Sequence, residues 1–187
     1  ALARRQHHQG VLLLAQSHVP LQSFSLSDRT CLLPPRPHAA CAARKQTLPA
    51  ALGNCRGLRS LSLGANCLKS LPDLAQVSLL HLGLACNEVD DASLPTLLSC
   101  LPAGLVSLDL GTNGLCSLDD TLDRLQVLRS LKHLTLLGNP LCVRRGYRKA
   151  VLATTAGGRL ALLDNTPVAD TSADDLAAAT PGADPPA

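Results

Sequence analysis

Three side chains far apart in the chain invite a chemical reading: His81, Asp109 and His133. Imidazole and carboxylate are the pair that ligates metal ions or relays protons. Ser60 and Ser107 would be the matching nucleophile candidates. A serine nucleophile also needs an oxyanion hole, and a metal usually needs a further ligand. Neither is visible in the sequence, so the more economical expectation is a polar centre on a protein-binding face. No phosphate loop, H-E-x-x-H, G-x-S-x-G or dinucleotide fingerprint occurs. The expectation is therefore no enzyme, no cofactor, no metal and no small-molecule substrate.

Eight cysteines stand at 31, 41, 55, 67, 86, 100, 116 and 142. None forms C-x-x-C and none has zinc-finger spacing with histidine. They read as reduced, mostly buried small hydrophobes, which points to a cytosolic setting. The run Val11–Leu14 is too short for a signal core or a membrane span, so neither leader nor membrane is expected. Arg144, Arg145, Arg148 and Lys149 form a basic cluster. Residues 1–50 hold six Lys/Arg and one acid, while residues 51–139 hold six and eight. That basic excess is too small to imply nucleic acid. With one Phe, one Tyr and no Trp, the chain also lacks rings for base stacking or for an aromatic-lined pocket.

What could bring distant residues together is a repeat. Leu supplies 42 of the 187 residues, with no Ile and no Met, as expected for a repeated packing unit. Four segments align without gaps: L-R-S-L-S-L-G-A-N-C-L from Leu58, L-L-H-L-G-L-A-C-N-E-V from Leu79, L-V-S-L-D-L-G-T-N-G-L from Leu105 and L-K-H-L-T-L-L-G-N-P-L from Leu131. The shared pattern is L-x-x-L-x-L-x-x-N-x-L, with Val89 once closing it. L-x-L alternation predicts a short strand with one face inward. One coil cannot bury its own leucines, but side-by-side coils build a parallel sheet over a continuous core. Between strands, Ser70–Ser78 is short enough for an extended or 3₁₀ connection. Ser93-Leu94-Pro95 and Asp119/Asp120 offer starts for two helices. Leu94, Leu97, Leu98 and Leu101 face inward on the first, and Leu122, Leu125 and Leu128 on the second.

This pattern resembles the leucine-rich repeat superfamily, short-repeat class. The resemblance implies an α/β, right-handed solenoid with a short parallel concave sheet and a mixed helical and extended convex side. It also implies a structural asparagine ladder: Asn66, Asn87, Asn113 and Asn139. The segment after Asn139-Pro140-Leu141 is similar to that class's C-terminal cap, with Tyr147, Arg148, Leu160, Leu163, Asp164 and Val168 as its residues. Such caps occur in the protein phosphatase 1 regulatory repeat protein, in the A-prime protein of the U2 small nuclear ribonucleoprotein and in axonemal dynein light-chain repeat proteins. Gly157-Gly158 departs from the usual cap.

The expected organisation is a basic segment at 1–46 with a degenerate coil at 21–31, repeats at 47–141, the cap at 142–168 and a disordered tail at 169–187. Alternation puts Ser60, Ser62, His81, Ser107, Asp109, His133, Thr135 and Leu137 on the concave face, flanked by Arg59 and Lys132. With adjacent strands about 4.8 Å apart, His81 and Asp109 are expected as neighbours, and so are Asp109 and His133. The functional expectation is a scaffold binding a peptide or helix of another protein, cytoplasmic and cilium- or cytoskeleton-associated. The alternative is a ribonucleoprotein-associated adaptor acting through a protein partner and the basic segments.

Overall fold

The computed structural model describes residues 22–25, 48, 50–155 and 159–170. Seven strands form one sheet in chain order: β1 Ser23–Ser25, β2 Ser60–Ser62, β3 His81–Gly83, β4 Ser107–Asp109, β5 His133–Thr135, β6 Leu162–Leu163 and β7 Thr166–Pro167. All neighbours pair in parallel except β6 and β7. The strands are three residues or fewer because each coil supplies only L-x-L before it must turn away.

Register stacks the central leucines into one row, Leu61, Leu82, Leu108, Leu134 and Leu163. All five are buried. Burying each leucine contributes roughly 1.5–3 kcal/mol, so this spine is a major stabilising element of the sheet. Phe24 of β1 continues the row beside Leu61. Strand β1 falls within the segment 21–31, most of which lies outside the described residues, as do Gly157-Gly158 and the segment from 171 onward.

The convex side differs from coil to coil. Ser70–Ser78 is neither helix nor strand. The next two coils carry helices α1 Leu94–Ser99 and α2 Leu118–Leu125, and the cap carries α3 Tyr147–Thr155. Leu94, Leu97, Leu98, Leu101, Leu122, Leu125 and Leu128 are all buried. Ser93 occupies the N-cap position of α1 with Pro95 in the first turn, as expected, while the start of α2 corrects the sequence reading. Ser93 is in helical geometry and makes no side-chain cap bond to α1. Its box lies one turn earlier. The Ser93 N–H donates to Asp90 Oδ1 at 2.8 Å, and the Asp90 N–H donates to Ser93 Oγ at 2.9 Å. Those bonds hold the Asp90 carboxyl below its ordinary value. The N-cap of α2 is Ser117 in extended geometry, with Asp119 and Asp120 inside the first turn. There the acids complement the positive helix end rather than cap it.

Each coil turns at the residue before its asparagine. Ala65, Cys86, Thr112 and Gly138 all have positive φ there, 60°, 56°, 53° and 82°. Only the last is glycine, for a second reason: a Cβ at Gly138 would lie 2.7 Å from Thr112 Oγ1.

The ladder follows from these turns. Asn87 Nδ2 donates to the Leu63 and Leu84 carbonyls at 3.0 and 2.9 Å, and its Oδ1 accepts from the Leu68 N–H at 3.0 Å. Asn113 repeats this one coil on, donating to Leu84 and Leu110 and accepting from Val89 N–H. Asn139 donates to Leu110 and Leu136 and accepts from Asn113 and Leu115 N–H. Asn66 donates to the Leu63 and Gly64 carbonyls. Asn66 and Asn139 are buried, whereas Asn87 and Asn113 are half-buried. Amide groups suit this row because each offers both donors and an acceptor.

Candidate binding face

The concave side presents the outward residues of β2 to β5 in two rows. Register defines the first as Ser60, His81, Ser107 and His133, with Leu162 of β6 continuing it. The second is Ser62, Gly83, Asp109 and Thr135. The expected His81–Asp109–His133 line is therefore corrected. Ser107 lies directly between the two histidines, and Asp109 is diagonal to both, one row along. Two strand spacings put the histidine backbones about 10 Å apart.

Asp109 is also less free than an outward acid should be. Its Oδ1 accepts the Gly111 N–H at 2.9 Å, so it shapes its own turn. His81 and Ser62 are exposed, while Ser60, Ser107, Asp109, His133 and Thr135 are half-buried. Arg59 and Lys132 are exposed and precede β2 and β5 at equivalent places. Leu137 is 58% exposed and lies past the end of β5. Gly83 leaves the middle of the second row low. Among the described residues, no group of three or more His, Cys, Asp or Glu is arranged to hold a metal ion. The six described cysteines are free thiols, with Cys86 and Cys116 exposed and the other four half-buried. Burial raises the Cys142 thiol above its ordinary range. Cys31 and Cys41 lie outside the described residues.

The cap closes the far end. Asp164 Oδ1 accepts the Leu136 and Leu137 N–H groups at 2.8 and 3.0 Å, and its Oδ2 accepts the Tyr147 hydroxyl at 2.8 Å. Burial, then the Asp164 charge, pushes the Tyr147 phenol far above its ordinary range. Arg148 donates to the Leu163 and Pro167 carbonyls at 3.3 and 3.2 Å. Leu160 and Leu163 are buried and Val168 is half-buried. Asp164 and Asn165 have φ of 53° and 63°, the two positive values of a tight two-residue hairpin between β6 and β7. The basic cluster is thus divided. Arg144 pairs with Asp119 at 2.9 Å and Arg148 holds the cap, while Arg145 and Lys149 are exposed.

Two features carried little sequence signal. Val127 and Val143 are 60% and 88% exposed on the convex side and at the cap. Asp91 reaches forward to accept the Cys116 and Ser117 N–H groups of the next coil.

Parallel coils, a leucine spine and an asparagine ladder define a leucine-rich-repeat-like α/β fold. No helix among the described residues is long and apolar enough to cross a membrane. No family model matches the chain, and no curated protein matches it. Among solved structures it is similar to an internalin from Listeria monocytogenes, at 22% identity and TM-score 0.41 over 63% of this chain. It spans only 31% of that internalin. It is also similar to the Chaetomium Mex67:Mtr2 subunits, at 20% identity and TM-score 0.44, over 87% of this chain and 92% of that one.

Proposed function

We propose that this chain is a non-enzymatic interaction scaffold whose concave sheet receives a peptide or helix of a partner protein. The observation that carries this reading is the in-register row Ser60–His81–Ser107–His133. The fold is held by inward leucines and the ladder, so this ordered outward row is not committed to stability. Four strands span about 14–20 Å, which suits a single segment rather than a whole globule. Resemblance of the cap to that of axonemal repeat proteins supports a cytoplasmic partner associated with cilium or cytoskeleton.

The test starts from affinity enrichment in ciliated and non-ciliated cells, followed by binding of the purified partner. Ser107→Trp fills the centre of the face, and Arg129→Glu alters the exposed convex side. The expected result is at least about a tenfold loss for Ser107→Trp with near-normal melting, and binding within about twofold for Arg129→Glu. The opposite pattern would move function to the convex side.

A further inference from the structure

Charge on the array is segregated. Residues 51–139 carry six Lys/Arg and eight Asp/Glu, so the array as a whole is acidic. Yet in and beside the two concave rows the fixed charges are Arg59, Lys132 and Asp109. The other seven acids stand elsewhere, and several are engaged there. Asp90 closes the box with Ser93 and lies 3.9 Å from Lys69, as does Glu88. Asp91 holds the next coil, and Asp119 meets Arg144.

We infer that the concave face takes an acidic peptide segment, and that His81 and His133 make its affinity rise as pH falls. This rests on the reading of the concave sheet as the binding face and names the chemistry of its partner. Arg59 and Lys132 mark the two flanks, about three strand spacings or 14 Å apart. His81 and His133 lie between them, separated by the hydroxyl of Ser107.

The groups facing the histidines are few. β2 offers Ser60 and Arg59, β4 offers Ser107 and the diagonal Asp109, and β6 offers Leu162. Asp109 already accepts the Gly111 N–H. Asp164, beyond β6, is occupied by Leu136, Leu137 and Tyr147. Asp109 keeps its charge while accepting the Gly111 N–H, and an incoming carboxylate would add a second acceptor for an imidazolium here. The sign is fixed by charge: an imidazolium attracts a carboxylate, whereas a neutral imidazole does not. A nucleic acid is disfavoured by the same inventory. Two fixed cations neutralise few phosphates, and Phe24 and Tyr147 pack against the core rather than offering stacking platforms.

The test is fluorescence anisotropy of a labelled, glutamate-rich dodecapeptide with the full chain at low salt. Binding should tighten about fivefold or more from roughly pH 7.5 to 5.5. His81→Asn with His133→Asn should remove that gain. Arg59→Ser with Lys132→Ser should weaken binding about tenfold at both pH values. Circular dichroism establishes that each variant is folded. A pH gain that survives the double Asn variant overturns the proposal, as does a loss that follows Arg145→Ser with Lys149→Ser instead. Equal competition by an oligothymidylate with the same variant dependence would assign the face to nucleic acid. No binding of the dodecapeptide at either pH also overturns the acidic partner, whereas failure of Ser107→Trp to disturb a purified partner overturns the face itself.

Discussion

Interior coils and cap satisfy the same kind of backbone group with different chemistry. In the array one neutral amide does both jobs: Asn139 donates to two carbonyls and accepts two N–H groups. In the cap the jobs are divided. Asp164 accepts two backbone N–H groups and the Tyr147 hydroxyl, while Arg148 supplies donors to the Leu163 and Pro167 carbonyls. A repeating coil must offer donors and acceptors to the coils around it, so an amide can recur indefinitely. At the last coil no successor follows in the parallel stack among the described residues, and specialised ionisable groups can take over. The array ladder thus holds no titrating group, whereas Asp164, Tyr147 and Cys142 are gathered at one end.

The largest expected effect comes from exchanging these chemistries. Asn139→Asp removes both donated bonds at a buried position and places a carboxyl there, costing about 3 kcal/mol or more. Asp164→Asn retains an acceptor oxygen and should cost only about 1 kcal/mol. Denaturant melts measure both, and equal losses would show that ladder and cap are equivalent after all.

A smaller effect separates the regions by pH. The Cys142 and Tyr147 values are both raised by burial, Tyr147 also by the Asp164 charge. Their protonated forms therefore contribute stability that is full below the ordinary values of 9.0 and 10.0 and is lost as pH rises through the folded ones. Alkali should loosen the cap first. Tyr147 is the one tyrosine of the chain, so tyrosinate absorbance reports the cap directly. Hydrogen exchange at the Asn113 N–H reports the array. Simultaneous release of both would mean that cap and array unfold as one unit.

The smallest effect lies at the seam. Helix α2 packs between α1 and α3, and its Thr121 hydroxyl is buried without a hydrogen-bond partner among the described residues. Thr121→Val should raise stability by up to about 1 kcal/mol in a thermal melt. A loss would reveal a partner for that hydroxyl and a polar rather than apolar seam.

The spine and the ladder were legible because L-x-x-L-x-L-x-x-N-x-L couples residue type to position: inward leucines, then a turn, then an amide. The face was only partly legible, and the missed part was in the motif itself. His81, Ser107 and His133 each hold its third place, and Asp109 its fifth, so alignment on the first leucine gives the observed rows. Alternation alone says which side a residue takes, not which residue it meets. The start of α2 was misread because Asp119/Asp120 are good cap types standing just after the residue that takes the position, Ser117. That Asp109 bonds Gly111 depends on a rotamer that no pattern encodes.

The hairpin at the end of the sheet has a consequence for assembly. A parallel stack whose last strand stayed open would accept the first strand of another molecule, and head-to-tail contacts of that type do not close but grow into fibres. Here β7 runs antiparallel to β6 and ends in Pro167, which has no N–H to donate. The turn through Asp164 and Asn165 therefore acts as a chain terminator, limiting filament growth from that end.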